Sequence, residues 1–211
     1  MKTILYLGIE KPDFEENVRL IHFPIIKTIP RPENEYMKAF DQFLSYGHII
    51  FTSKTSVDLF FKILKNFSFS KDEIQQKQYI VVGKATAQRL NTYGINQPLI
   101  AKNETAEGLI ELLKTLSLKN CYIFWPHSAL SRNILPDFFL ENNLKFEDCI
   151  IYDTIPFLPK SLPDLAEIDE IVFTSPSTVD AFLKFFPDQK LNQILTPIGP
   201  VTKLRLEKSF A

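Results

Sequence analysis

The sequence predicts an α/β protein of two related domains with parallel sheets, one inserted into the other. Three observations carry the prediction. Short apolar runs alternate with amphipathic stretches along the chain, the pattern of strand–helix units. The segment 49–62 recurs at 171–184. Two proline-rich stretches, 28–32 and 155–163, read as early and late linkers, because proline favours extended chain and disfavours helix before it.

Strands are expected at 3–7, 23–26, 48–51, 79–82, 99–101, 121–125, 148–152, 170–173 and 196–198. Helices are expected at 33–45, 56–66, 85–93, 106–116, 131–142, 178–186 and 201–207. Strands that alternate with helices imply right-handed crossovers between parallel neighbours. The linkers divide the chain into a discontinuous domain, 1–29 plus 157–211, and an inserted domain, 30–156.

The repeat is the most informative feature. Ile49-Ile50-Phe51-Thr52-Ser53-Lys54-Thr55-Ser56-Val57-Asp58 returns as Ile171-Val172-Phe173-Thr174-Ser175-Pro176-Ser177-Thr178-Val179-Asp180. A fainter element follows each copy in the same order. Gly83-Lys84-Ala85-Thr86 leads to Arg89-Leu90, and Gly199-Pro200-Val201-Thr202 leads to Arg205-Leu206.

Composition excludes several functions. The net charge is −1, so no global field would hold nucleic acid or an anionic membrane, and an anionic ligand must be captured locally. The apolar run at the N-terminus is too short for a signal peptide or a membrane span, so a cytoplasmic protein is expected. Cys121 and Cys149 read as thiols rather than a disulfide. No glycine-rich nucleotide cradle, nucleophile elbow or Cys/His cluster appears, and His127 lacks a second ligand at metal spacing. Neither metal nor cofactor is expected.

The candidate chemistry lies at strand-to-helix corners. In open α/β sheets ligands bind beyond the carboxyl ends of the strands. Free amides at a helix start, with hydroxyls beside them, attract anions. Thr52, Ser53 and Lys54 form one such corner, Ser175 and Ser177 its copy. Gly83, Lys84 and Thr86 form another, Gly199 and Thr202 its copy. A third follows 121–125, where Ser131 would cap a helix and Arg132 face an anion. Plain helix capping explains each hydroxyl taken singly, and a solvated helix residue explains Arg132. Tyr152 ends a strand just before the second linker and reads either as a packed tyrosine or as a functional one.

The order of these motifs, from Phe51-Thr52-Ser53 through Gly83-Lys84-Ala85-Thr86, Ala106-Glu107-Gly108-Leu109 and Ile151-Tyr152-Asp153-Thr154 to Ile198-Gly199-Pro200-Val201-Thr202, resembles the uroporphyrinogen-III synthase family. The resemblance covers about residues 48–202. It implies two flavodoxin-like domains with parallel sheets, joined by a two-stranded linker, in a monomer with its active site in the cleft between them. Its substrate would be hydroxymethylbilane, a linear tetrapyrrole with many carboxylates, with a transient hand-over from hydroxymethylbilane synthase. It implies loss of the terminal hydroxyl as water, attack by ring D through a spiro intermediate, and closure with ring D inverted, all without a cofactor. Residue by residue, Ser53, Thr86, Ser175, Ser177 and Thr202 would line the cleft, and Tyr152 would assist departure of the hydroxyl. Two departures stand out. Gly8-Ile9-Glu10-Lys11-Pro12 lacks the family's arginine, and the chain stops soon after Thr202, where the family continues through a further strand and helix.

The rival readings are a two-lobed, non-catalytic small-molecule or anion-binding module, and a receiver-like regulatory pair. The receiver would need acidic residues at a strand mouth, where this chain has Thr and Ser.

Overall fold

The computed structural model describes residues 1–12, 17–158, 161–187 and 191–210; Pro159 and Lys160 of the expected second linker lie outside these. The chain divides into two compact units, Met1–Ile29 with Thr154–Ala211, and Pro30–Asp153.

In the first unit, β1 (Lys2–Tyr6), β2 (Val18–His22), β9 (Glu170–Phe173) and β10 (Ile194–Pro197) form a sheet in the order β10-β9-β1-β2, with every neighbour parallel. α7 (Pro176–Phe185) follows β9, and α8 (Pro200–Ser209) follows β10. Leu5, Leu7, Ile171 and Phe173 from the sheet meet Val179, Phe182 and Leu206 from the helices in one core. Each such burial contributes about 1.5–3 kcal/mol.

The larger sheet has the order β3-β8-β7-β4-β5-β6. Its strands are β3 (Ile26–Pro30), β4 (His48–Phe51), β5 (Gln78–Val81), β6 (Leu99–Ile100), β7 (Tyr122–Ser128) and β8 (Lys145–Pro156). From β6 across to β8 each pair is parallel. The helices are α1 (Glu33–Asp41), α2 (Lys54–Leu64), α3 (Lys71–Gln75), α4 (Lys84–Asn91), α5 (Ala106–Lys114) and α6 (Ile134–Glu141). Side-chain alternation along the strands builds two cores. Ile49, Phe51 and Phe124 face α1, α2 and α4; Ile50, Ile80, Ile123 and Trp125 face α5 and α6. The phenylalanine-rich composition goes largely into the first. Phe60 packs within 6.1 Å, centroid to centroid, of Phe40, Phe43, Phe51, Phe61 and Phe124.

Several expected elements are corrected. Residues 23–25 are not strand; the chain pairs instead through β2 and β3 on either side. The 28–32 linker is mostly β3, ended by Pro30, which has no N–H for a ladder. β8 likewise runs through Tyr152 as far as Pro156. Arg31 N–H donates to the Ile151 carbonyl and Phe157 N–H to the Ile25 carbonyl, where β3 and β8 neighbour each other. α3 was not expected; a capping box of Ser70 and Glu73 starts it. α6 begins at Ile134, not at 131, because β7 continues to Ser128 and the chain then turns.

Candidate functional site

The two copies of the repeat fold with the same local hydrogen bonds. Ser53 caps α2: its Oγ accepts from Ser56 N–H at 3.0 Å. Ser175 caps α7 by accepting from Thr178 N–H at 3.4 Å. Each partner hydroxyl returns a bond to the cap carbonyl, Ser56 Oγ to Ser53 O at 2.8 Å and Thr178 Oγ1 to Ser175 O at 2.7 Å. Ser56 and Thr178 therefore complete these corners. Their equivalence is visible in the repeat, although sequence reasoning did not single them out.

Tyr152 joins the first corner. Its phenol oxygen lies 2.9 Å from Ser53 Oγ, and the Thr55 and Ser128 hydroxyls also lie against it. Proton counting orients the central bond. The one Ser53 hydroxyl proton goes to Ser56 Oγ at 3.0 Å, and the Ser56 proton goes to the Ser53 carbonyl. The phenol must then donate to Ser53. Tyr152 is only 5% exposed. Burial pushes the phenol above its ordinary value, against the opposing pull of the three hydroxyls, so it stays protonated at neutral pH.

A β-bulge places that ring. His127 pairs with Ile150, but Ser128 pairs with Tyr152, so Ile151 is the extra residue in β8. Bulges bend a strand and re-aim its side chains. Ala129 N–H then ties to the Tyr152 carbonyl at 3.0 Å. The sheet order sets Tyr152 of β8 beside the ends of β7, β4 and β5, so Tyr152 and the Ser128, Ser53 and Gly83 corners follow one another along one edge.

The Gly83 corner is already occupied by a carboxylate of the chain itself. Glu104 Oε1 accepts from Lys84 N–H at 3.0 Å, at the start of α4. A Cβ on Gly83 would come within 2.5 Å of the Glu104 carboxyl carbon, so glycine is what admits the carboxylate. Lys84 is exposed and Thr86 is buried inside the helix. Lys54 opens α2 and is exposed; Thr52 lies in the turn before it.

The third corner differs from expectation. Ser131 does not cap α6; Asn133 holds the N-cap position, without a side-chain cap bond. Arg132 is engaged by Glu107, through bonds of 2.8 and 3.2 Å, and the guanidinium pulls that carboxyl below the usual range.

In the other unit, Ser175 Oγ lies 2.8 Å from Ser177 Oγ at the start of α7. Gly199 begins α8 at φ 84° and Thr202 is buried within that helix. At the same sheet edge His22 Nε2 donates to the Gly8 carbonyl at 2.8 Å. Among the described residues, no His/Cys/Asp/Glu group is arranged as a metal site. Among them, too, no helix is long and apolar enough to cross a membrane.

Comparison with known proteins gives one family throughout. The family model for uroporphyrinogen-III synthase HemD matches residues 15–209. A protein of Methanocaldococcus jannaschii, named as a candidate uroporphyrinogen-III synthase, is 30% identical over 99% of this chain and 89% of its own. The uroporphyrinogen-III synthase of Chlorobaculum parvum is 29% identical over 77% of this chain and 70% of its own. The crystal structure of a mutant uroporphyrinogen III synthase from the extremely thermophilic bacterium Thermus thermophilus superposes with a TM-score of 0.66 at 14% identity, covering 99% of this chain and 89% of that one, a likeness of fold. On the family match along nearly its whole length, this chain belongs to the uroporphyrinogen-III synthase family.

Proposed function

We propose that this protein is a uroporphyrinogen-III synthase, a lyase that converts hydroxymethylbilane to uroporphyrinogen III with loss of water and inversion of ring D, in haem biosynthesis. The observation that carries the reading beyond family membership is the buried phenol of Tyr152, donating to Ser53 at the mouth of a parallel sheet. A protonated phenol can give a proton to a departing hydroxyl and still ionise too weakly to repel carboxylates nearby. Family, site and proposed step therefore agree.

In this reading Tyr152 is the catalytic residue. Thr52, Ser53, Lys54, Ser175, Ser177, Gly199 and Thr202 supply amides, hydroxyls and charge for the substrate's carboxylates. Each exposed helix-start contact is worth about 0.3–1 kcal/mol, so several together can hold a flexible bilane in a curled shape. Gly83 and Lys84 bind only after Glu104 yields its place, and Arg132 only after it leaves Glu107. The protein lowers the barrier by orientation: it favours the substrate shape in which ring D reacts inverted. The two compact units are, in this reading, flavodoxin-like domains joined by β3 and β8, and the enzyme acts as a monomer.

The test is the product. Purified protein is incubated with hydroxymethylbilane, and the oxidised porphyrins are separated by chromatography. The type III isomer is expected; the type I isomer alone, the product of uninverted closure, contradicts the proposal.

A further inference from the structure

His127 is buried in β7, with 6% of its side chain exposed, and its ring stacks on Trp125 with centroids 3.6 Å apart and planes 7° from parallel. Nδ1 faces the Ser128 carbonyl at 2.9 Å. Nε2 is in direct contact with the Asp148 carboxylate on β8. Both partners are acceptors. The ring thus bridges Asp148 on β8 to the carbonyl of Ser128. The carbonyl that His127 grips belongs to Ser128, the residue at which the register shifts to pair with Tyr152, and the Ser128 hydroxyl lies against the Tyr152 phenol.

We propose that His127, held by Asp148 and stacked on Trp125, is the positioning residue for Tyr152: it latches the Ser128 carbonyl and fixes the bulge that aims the phenol. The proposal rests on the reading of Tyr152 as the catalytic group. The latch acts from the opposite sheet face, since Trp125 and His127 point one way and Phe124 and Ser128 the other. Other titratable or charged groups on the packed elements include His48 on β4, Lys145, Glu147, Cys149 and Asp153 on β8, Glu107, Glu111 and Lys114 on α5, and Asp137 and Glu141 on α6. Glu147 accepts from Tyr122, Glu107 holds Arg132, and Glu111 accepts from Asn103. Among the described residues, Asp148 is the one of these that bonds to the ring.

Trp125 is the only tryptophan of the chain, so its emission reports the stacked ring directly. The emission of His127→Gln is expected to differ from wild type, because the stack is lost. kcat of that variant is expected to be roughly tenfold lower, with KM within about twofold, because positioning acts on the reacting geometry rather than on binding. Its Tyr152 ring resonance, followed by NMR, moves with the loss of the stack. Asp148→Asn lowers kcat in the same direction. Wild-type kcat in folded His127→Gln overturns the proposal, and so does an unmoved Tyr152 resonance. If His127→Gln fails to fold, Asp148→Asn decides by the same two readouts. If the protein makes no type III product, the catalytic reading fails by itself, and the Tyr152 resonance alone judges the latch.

Discussion

Ser53 serves two groups at once: it caps α2 and receives the Tyr152 proton. Ser53→Ala removes both bonds. The cap is worth about 1 kcal/mol, and the buried phenol loses the acceptor for its proton. A urea midpoint lowered by an amount equivalent to about 1–2 kcal/mol is expected; an unchanged midpoint would mean that neither bond matters in the fold. The sequence showed this residue as a cap or a ligand contact and could not choose. Choosing required the ring of Tyr152, which is distant along the chain and brought alongside by sheet order and a bulge that leaves no mark in composition or periodicity.

At the scale of elements, the repeat was legible because both copies follow the same strand-to-helix logic, and their cap bonds match. The two glycines of its second motif, however, are kept for different reasons. Gly83 has φ −171°, open to any residue, but no room for a Cβ beside Glu104. Gly199 has open space around it but lies at φ 84° and ψ 160°, a region that suits glycine. Gly199→Ala should therefore cost about 1–3 kcal/mol in backbone strain. Gly83→Ala should cost less, because the flexible Glu104 side chain can move aside, and should speed hydrogen exchange at the Lys84 amide. Equal losses in urea unfolding would contradict this division. What the sequence missed follows from tertiary context. β2 and β3 flank Pro24, and the apolar residues between 20 and 26 read as one strand because periodicity does not locate the break. The Arg132–Glu107 pair and the Glu104 carboxylate at Lys84 join residues 25 and 20 positions apart, beyond any local pattern.

For the whole molecule, buried acids set the alkaline limit of stability. Burial raises the phenols of Tyr46, Tyr79 and Tyr152, and pushes the Cys149 thiol up to about 12. A group with a raised folded value holds its proton longer in the native state than in the unfolded chain. Its contribution is complete below the unfolded value and is lost as pH rises through the folded one. Unfolding free energy should thus fall from about pH 9, where unfolded thiols ionise, and more steeply above about pH 10, where unfolded phenols follow. Denaturation in urea at a series of alkaline pH values checks it; a flat profile would contradict the burial of these groups. The mixed α/β class with parallel sheets was legible from alternation and repeat together, since both report on architecture at long range.

The Tyr152 phenol stands at the centre of the proposed ring-closing chemistry. The direct measurement is the initial rate of type III product from hydroxymethylbilane, compared between wild-type protein and Tyr152→Phe, a variant that keeps the ring and removes the proton. A kcat lower by about a hundredfold with KM little changed is the predicted result, as expected for loss of a general acid. A Tyr152→Phe protein that forms the type III isomer at the wild-type rate would contradict it.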